Sequence, residues 1–305
     1  MSLRFDGRVA IVTGAGNGLG RQHALALAAR GCKVVVNDLG GARDGSGGSL
    51  TAAQEVVKEI VAAGGTAMAN GASVTDQKAV EAMVAATQAT FGRVDILVNN
   101  AGILRDKSFA KMPLADFRLV LDVHLMGAVH CTQAVWPIML AQKYGRIVMT
   151  TSSSGLFGNF GQSNYGAAKM ALVGLMQTLA IEGAKSDIRV NCLAPTAATR
   201  MTEGLLPAEV LAVLTPEAVV PAMLWLASAD APTRAIACAG AGTFEAAHIT
   251  LTHGLHLGSS ADTPEQLAAA WAQVSDRSGD SVPGSGAAQG GNEVQQAMAA
   301  LTALR

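Results

Sequence analysis

The sequence predicts an α/β fold: a doubly wound parallel sheet of about seven strands, in a single domain with a C-terminal extension. Three observations lead there. Short Val- and Ile-rich runs alternate with longer stretches of helical spacing. The runs are apolar throughout, as in strands covered on both faces. A glycine-rich turn joins the first strand to the first helix, and such βαβ units cross over right-handed.

The elements follow in order. RVAIVT (8–13) is the first strand, and a helix over 20–30 ends at Gly31, a C-cap residue. KVVVND (33–38) is the second strand. LGGARDGSGG (39–48) is a long, flexible loop. A helix over 49–63 stops at Gly64 and Gly65, and 66–70 is the third strand. A helix over 75–90 has Thr75 and Asp76 as capping candidates. VDILVN (94–99) is the fourth strand, followed by helical material over 114–140. RIVMTT (146–151) is the fifth, a long helix covers 165–183, and IRVNCL (188–193) is the sixth. A helix over 216–229 and a weak seventh strand within 235–245 complete the sheet. A dinucleotide-binding domain over 1–258 and an extension over 259–305 are expected, the latter with a flexible linker near 275–292 and then a helix.

The bulk numbers exclude several classes. The 305 residues are half apolar, with a formal net charge of −1. A balanced charge gives no case for nucleic acid or an anionic membrane. No run approaches the ~20 apolar residues that span a bilayer. Residues 1–6 do not read as a secretory signal, and 302–305 are not a peroxisomal address. Cys32, Cys131, Cys192 and Cys238 form no C-x-x-C pair and read as buried free thiols in a reducing cytoplasm. No metal site is assigned.

Between the first strand and helix stands Gly14-Ala15-Gly16-Asn17-Gly18-Leu19-Gly20. Glycines let the backbone turn sharply and let a pyrophosphate approach the helix N-terminus, where free N–H groups and the positive dipole end lie. Asp38 ends the second strand, where a carboxylate binds an adenosine ribose and repels a 2′-phosphate, favouring NAD over NADP. Arg43, in the adjoining loop, keeps NADP open.

Tyr165 and Lys169 are four apart, hence on one helix face. An ammonium beside a phenol favours the phenolate and makes the tyrosine an acid or base nearer neutral pH. Ser152, just past the fifth strand, lies at the carboxyl edge where such sheets bind ligands. Ser153 and Ser154 compete with it.

Taken in order, T-G-x-x-x-G-x-G (Thr13 to Gly20), Asn99-Asn100-Ala101-Gly102, Ser152, Tyr165 with Lys169, and Pro195 resemble the short-chain dehydrogenase/reductase family over 8–204. The resemblance implies a Rossmann-type sheet and a catalytic set of Ser152, Tyr165 and Lys169. Tyr165 would exchange the proton, Lys169 would also hold the nicotinamide ribose, and Ser152 would orient the reacting oxygen. Gly14, Asn17, Gly18, Leu19 and Gly20 would wrap the pyrophosphate, while Ser73 and Val74 would flank the adenine. Asn100, Ala101 and Gly102 would support the adenosine ribose region, and Pro195, Thr196 and Thr199 would meet the nicotinamide.

Two positions depart from the family pattern: His124 where Asn is usual, and Thr196 where Gly usually follows the proline. His124 is left outside the catalytic set. The segments 37–41, 102–106, 123–125, 158–162 and 199–202 are similar to the (3R)-hydroxyacyl-CoA dehydrogenase unit of multifunctional enzyme type 2, which carries His at that position too. That likeness fades after about Leu226. It implies NAD-linked oxidation of (3R)-hydroxyacyl-CoA esters by a homodimer or homotetramer, with Arg105, Lys107 and Arg200 as candidates to meet coenzyme A phosphates. A ketone, steroid or 3-oxoacyl reductase of the same family is the alternative, and a non-catalytic NAD sensor a more distant one.

Overall fold

The computed structural model describes residues 3–42, 44–198 and 207–303. The strands are β1 (Val9–Thr13), β2 (Lys33–Asn37), β3 (Thr66–Asn70), β4 (Ile96–Asn99), β5 (Gly145–Thr150), β6 (Ile188–Thr196), β7 (Ile236–Gly240) and β8 (Thr243–Ala247). They form one sheet in the order β3-β2-β1-β4-β5-β6-β7-β8. Pairing is parallel from β3 to β7, with Val12 opposite Val36 on one side and Val98 on the other. The chain winds outward through β2 and β3, then returns to β4 beside β1. That reversal opens a crevice at the carboxyl ends of β1 and β4.

Every residue of β1 and β5 is buried, as a strand covered on both faces requires. Helices α1 (Gly18–Ala29), α2 (Thr51–Ala62) and α9 (Val220–Ala227) pack Leu27, Ile60 and Met223 onto Val12, Val34 and Val98. Helix α3 (Gln77–Phe91) begins at Asp76, whose carboxylate accepts the Ala79 N–H at 3.1 Å. Near the crevice lie α4 (Leu114–Leu121), α5 (Gly127–Gln142), α6 (Ser153–Phe157), α7 (Ser163–Gly183) and α8 (Ala208–Val213).

Four features of the sheet and the helices around it differ from the sequence expectation. The helical stretch 114–140 is broken by a π-helical turn at Asp122–Met126, which carries His124 inward. Helices α6 and α8 are too short for periodicity to register. The stretch 216–229 opens with a 3-10 turn, Pro216–Val219, before α9. An eighth strand follows β7 through Ala241 and Gly242, with φ of 49° and 75°. Two left-handed residues make the tight hairpin that joins antiparallel strands.

The 39–48 loop is gathered by its own amides: Ser49 N–H reaches Leu39 O at 2.8 Å, and Ala42 N–H reaches Ser46 O at 2.7 Å. The chain divides into two compact units, Met1–Ala246 and Ala247–Arg305, so the boundary expected near residue 258 lies inside the second. That unit holds α10 (Thr263–Val274) and α11 (Gly286–Ala303), a bridge between Leu251 and Ser281, and hydrogen bonds from Asn292 and Gln296 to the His253 carbonyl. Helix α11 starts seven residues ahead of the expected Glu293.

Candidate active site

The crevice opens into a cavity of about 680 Å³. Gly14, Asn17, Gly18, Leu19, Gly20, Asp38, Ser73, Val74, Asn100, Ala101, Gly102, Ser152, Tyr165, Lys169, Pro195 and Thr196 all line it. Residues far apart in sequence meet because each follows a parallel strand whose carboxyl end faces the same edge. Thr199 and Arg200 lie outside the described residues, as does Arg43.

The glycine turn fits a dinucleotide phosphate. Helix α1 starts at Asn17 with no side-chain cap, so its first N–H groups face the cavity unclaimed. Gly14 has φ 63°, and a Cβ there would sit 2.8 Å from Ala101 Cα. A Cβ on Gly20 would sit 2.2 Å from Gly14 O. Asn100 fixes this turn from below: its amide donates to Thr13 O at 3.0 Å and Gly14 O at 3.1 Å. Its side chain is thus a scaffold for the loop, and any contact with a ribose falls to backbone. Asp38 accepts Gly16 N–H and Gly40 N–H, each at 2.7 Å, one on each oxygen, which leaves lone pairs toward the cavity.

The catalytic candidates stand opposite. Ser152 is buried and caps α6, its hydroxyl oxygen accepting the Ser154 N–H at 3.2 Å. Ser152 and Tyr165 line the same cavity. The other serines are separated from this role: Ser153 is exposed, and Ser154 gives its hydroxyl to Gln162 at 2.8 Å. Lys169 is buried on α7 and donates to Thr150 O at 2.5 Å, its Nζ 5.5 Å from the Tyr165 ring centre.

The electrostatics reverse one expectation. Burial pushes the Tyr165 phenol above its usual range, opposed by the Ser152 hydrogen bond and reinforced by Asp106. Burial brings Lys169 down to about 7. The phenol is therefore held protonated, not lowered by the lysine, because desolvation outweighs a partner turned onto Thr150.

Among the cavity residues given no role from sequence are the polar Asp106, His124, Asn159 and Gln162. His124 is buried edge-on to Tyr165 with ring centres 5.1 Å apart, and its Nε2 lies 2.8 Å from Ile103 O. Burial first, then the Lys169 charge, holds this imidazole well below its ordinary range, hence neutral. The π turn that delivers it is the signal periodicity misses. Arg105, a candidate for a coenzyme phosphate, is instead tied to Asp116 at 2.9 Å and to Asp44 O at 2.9 Å. Lys107 remains exposed.

The family of short chain dehydrogenases matches residues 8–209. The fruit-fly (Drosophila melanogaster) peroxisomal multifunctional enzyme type 2 is 50% identical over 281 residues, covering 90% of this chain and 46% of that protein. Its full-length structure superposes with a TM-score of 0.79 at 41% identity, covering 96% of this chain and 50% of that one. The chain thus spans about half the length of that relative. A short-chain type dehydrogenase/reductase of Mycobacterium tuberculosis is 48% identical, covering 91% of this chain and 97% of that protein. A 7α-hydroxysteroid dehydrogenase structure holding NADH and 7-oxo glycochenodeoxycholic acid has a TM-score of 0.71 at 32% identity, over 78% of this chain and 95% of that one. The expected fading after Leu226 fits the mouse multifunctional enzyme type 2, 54% identical over 224 residues or 73% of this chain, while the fruit-fly match extends to 90%. Among the described residues no helix is long and apolar enough to cross a membrane. With its ordered motifs, its sheet and two thirds of its length matched, this chain belongs to the short-chain dehydrogenase family.

Proposed function

We propose that the protein oxidises (3R)-hydroxyacyl-CoA thioesters with NAD. The observation that carries the chemistry is the meeting of Ser152, Tyr165 and Lys169 on one wall of a cavity whose other wall is the uncapped start of α1 and Asp38. The substrate class rests on the likeness to multifunctional enzyme type 2, and the choice of NAD on the Asp38 carboxylate.

Gly14, Asn17, Gly18, Leu19 and Gly20 would hold the phosphates of NAD, Ser73 and Val74 its adenine, and Pro195 and Thr196 its nicotinamide, and the bound cofactor would supply a hydride acceptor. Ser152 orients the substrate hydroxyl. Tyr165, once ionised to the phenolate, would take the hydroxyl proton as the carbinol carbon is oxidised to a carbonyl. In reverse, the protonated phenol gives that proton to the carbonyl oxygen. Lys169 anchors the strand end at Thr150 and stands ready to meet a ribose hydroxyl. A phenol held above its usual range makes oxidation an alkaline-side reaction and reduction the easier one near neutrality. A homodimer or homotetramer in the cytoplasm completes the reading, the compartment resting on four free thiols.

The test is turnover with NAD or NADP over (3R)- and (3S)-hydroxyacyl-CoA esters, steroid alcohols and 3-oxoacyl thioesters, in parent and Tyr165→Phe. The (3R) esters with NAD are expected to lead. The variant is expected to lose about 10²- to 10⁴-fold in kcat while keeping its NAD affinity. Fast steroid turnover beside slow thioester oxidation moves the substrate to the alternative class. An inert parent protein that binds NAD favours the sensor reading.

A further inference from the structure

A string of side chains joins the loop after β4 to the reacting hydroxyls. Gln162 Nε2 donates to Asp106 Oδ2 at 2.7 Å. Gln162 Oε1 accepts from Ser154 Oγ at 2.8 Å and from Asn159 Nδ2 at 3.2 Å. The Ser154 N–H donates to Ser152 Oγ at 3.2 Å, and Ser152 lines the same cavity as Tyr165. Two flanking ties hold the same segments together: Lys107 N–H to Gly161 O at 2.9 Å, and Asn164 Nδ2 to Arg105 O at 3.0 Å.

Helix α6, which Ser152 caps, has five residues. A single turn of helix has no stability of its own, so its place is set by what holds it from outside. Ser154, the second residue of that turn, is anchored on Gln162, and Gln162 is anchored on Asp106. A serine hydroxyl has one proton and two lone pairs. With one lone pair of Ser152 taken by Ser154 N–H, the proton and the second lone pair are directed toward the phenol and the reacting oxygen. A shift of α6 by a fraction of an ångström breaks that aim.

We propose that Asp106, Gln162 and Ser154 are positioning residues: a hydrogen-bonded string that holds the Ser152 hydroxyl against the Tyr165 phenol. The inference rests on the acid/base reading of Tyr165. The charged or titratable groups facing that phenol are Asp106 from the loop after β4, His124 from the π turn and Lys169 from α7. Asp106 thus has two effects, anchoring Gln162 and disfavouring the phenolate form of Tyr165.

The chain has two tyrosines, Tyr144 and Tyr165, so tyrosinate absorbance in a Tyr144→Phe background reports Tyr165 alone. Asp106→Asn keeps an acceptor for Gln162 and removes the charge. It is expected to lower the tyrosinate midpoint by about half a pH unit or more and to keep kcat within about threefold. Adding Gln162→Leu to Asp106→Asn cuts the string, raises the midpoint again and lowers kcat by about tenfold to a hundredfold, with NAD affinity unchanged. Ser154→Ala, which deletes one hydroxyl, is expected to do the same and carries the test if Gln162→Leu fails to fold. Midpoints that stay put in every variant, or a change confined to KM, overturn the proposal. A chain inert toward all substrates but showing these midpoint shifts rejects the acid/base reading and keeps the string.

Discussion

The Cβ that Gly102 lacks would lie 2.3 Å from Cε1 of His124. The imidazole packs onto bare backbone, and its hold on Ile103 leaves it no room to yield. Gly102→Ala is therefore expected to destabilise the fold by about 1–3 kcal/mol in chemical denaturation. A second change, His124→Ala, recovers part of that loss by vacating the clash. If Gly102→Ala unfolds at the parent midpoint, the contact is not what keeps this position small.

Lys169 is a buried amine that donates to Thr150 O. With the folded group at about 7 and the unfolded one at its ordinary 10.5, the unfolded chain binds more protons between those values. Stability then climbs with pH across that window. Lys169→Met removes the buried charge, so near neutral pH it is expected to gain on the order of a few kcal/mol while turnover collapses. Urea titrations from pH 7 to 10 check it: the parent gains stability over that range and the variant does not.

His23 sits fully buried on α1 with neither ring nitrogen partnered. Burial drops it to about 3, from 6.5. The unfolded histidine takes a proton as pH falls below 6.5 and the folded one does not until about 3, so stability drains away between them. His23→Leu is expected to flatten that acid slope and to add about 1–2 kcal/mol at neutral pH. Thermal melts at pH 4 and pH 7 decide it; an unchanged slope places the acid sensitivity elsewhere.

Asp38 offers both oxygens to loop amides, one on Gly16 and one on Gly40. Asp38→Asn keeps much of the shape and removes the repulsion toward a 2′-phosphate. Titrations should show NAD binding weakened by about tenfold and NADP binding strengthened relative to it. Equal loss of both cofactors points to a loop that collapses without the carboxylate.

Much of this was legible in the residues. Buried strands such as VAIVT and RIVMT announce themselves by composition, and Thr13 to Gly20, Tyr165 and Lys169 carry their chemistry in their spacing. What the sequence hides is whatever one inserted or mispaired residue creates. The π turn at His124 rotates a helix face that periodicity reads as continuous. The direction in which Tyr165 moves depends on how deeply it is buried and on where Lys169 points, and spacing reports neither. The β7–β8 hairpin escapes because TFEAA is exposed and lacks the apolar run of a central strand.

Asn100 hangs the glycine turn from the end of β4 by two amide bonds, and Thr13 Oγ1 receives the Asn100 and Ala101 N–H groups in return at 3.0 and 3.1 Å. The loop is stiffened when β4 pairs with β1, long before any dinucleotide arrives. The entropy a slack loop would surrender on binding is already lost in folding. A visitor meets a rigid socket, and Asn100→Ala should turn that into a floppy one, slowing capture more than it harms the fold.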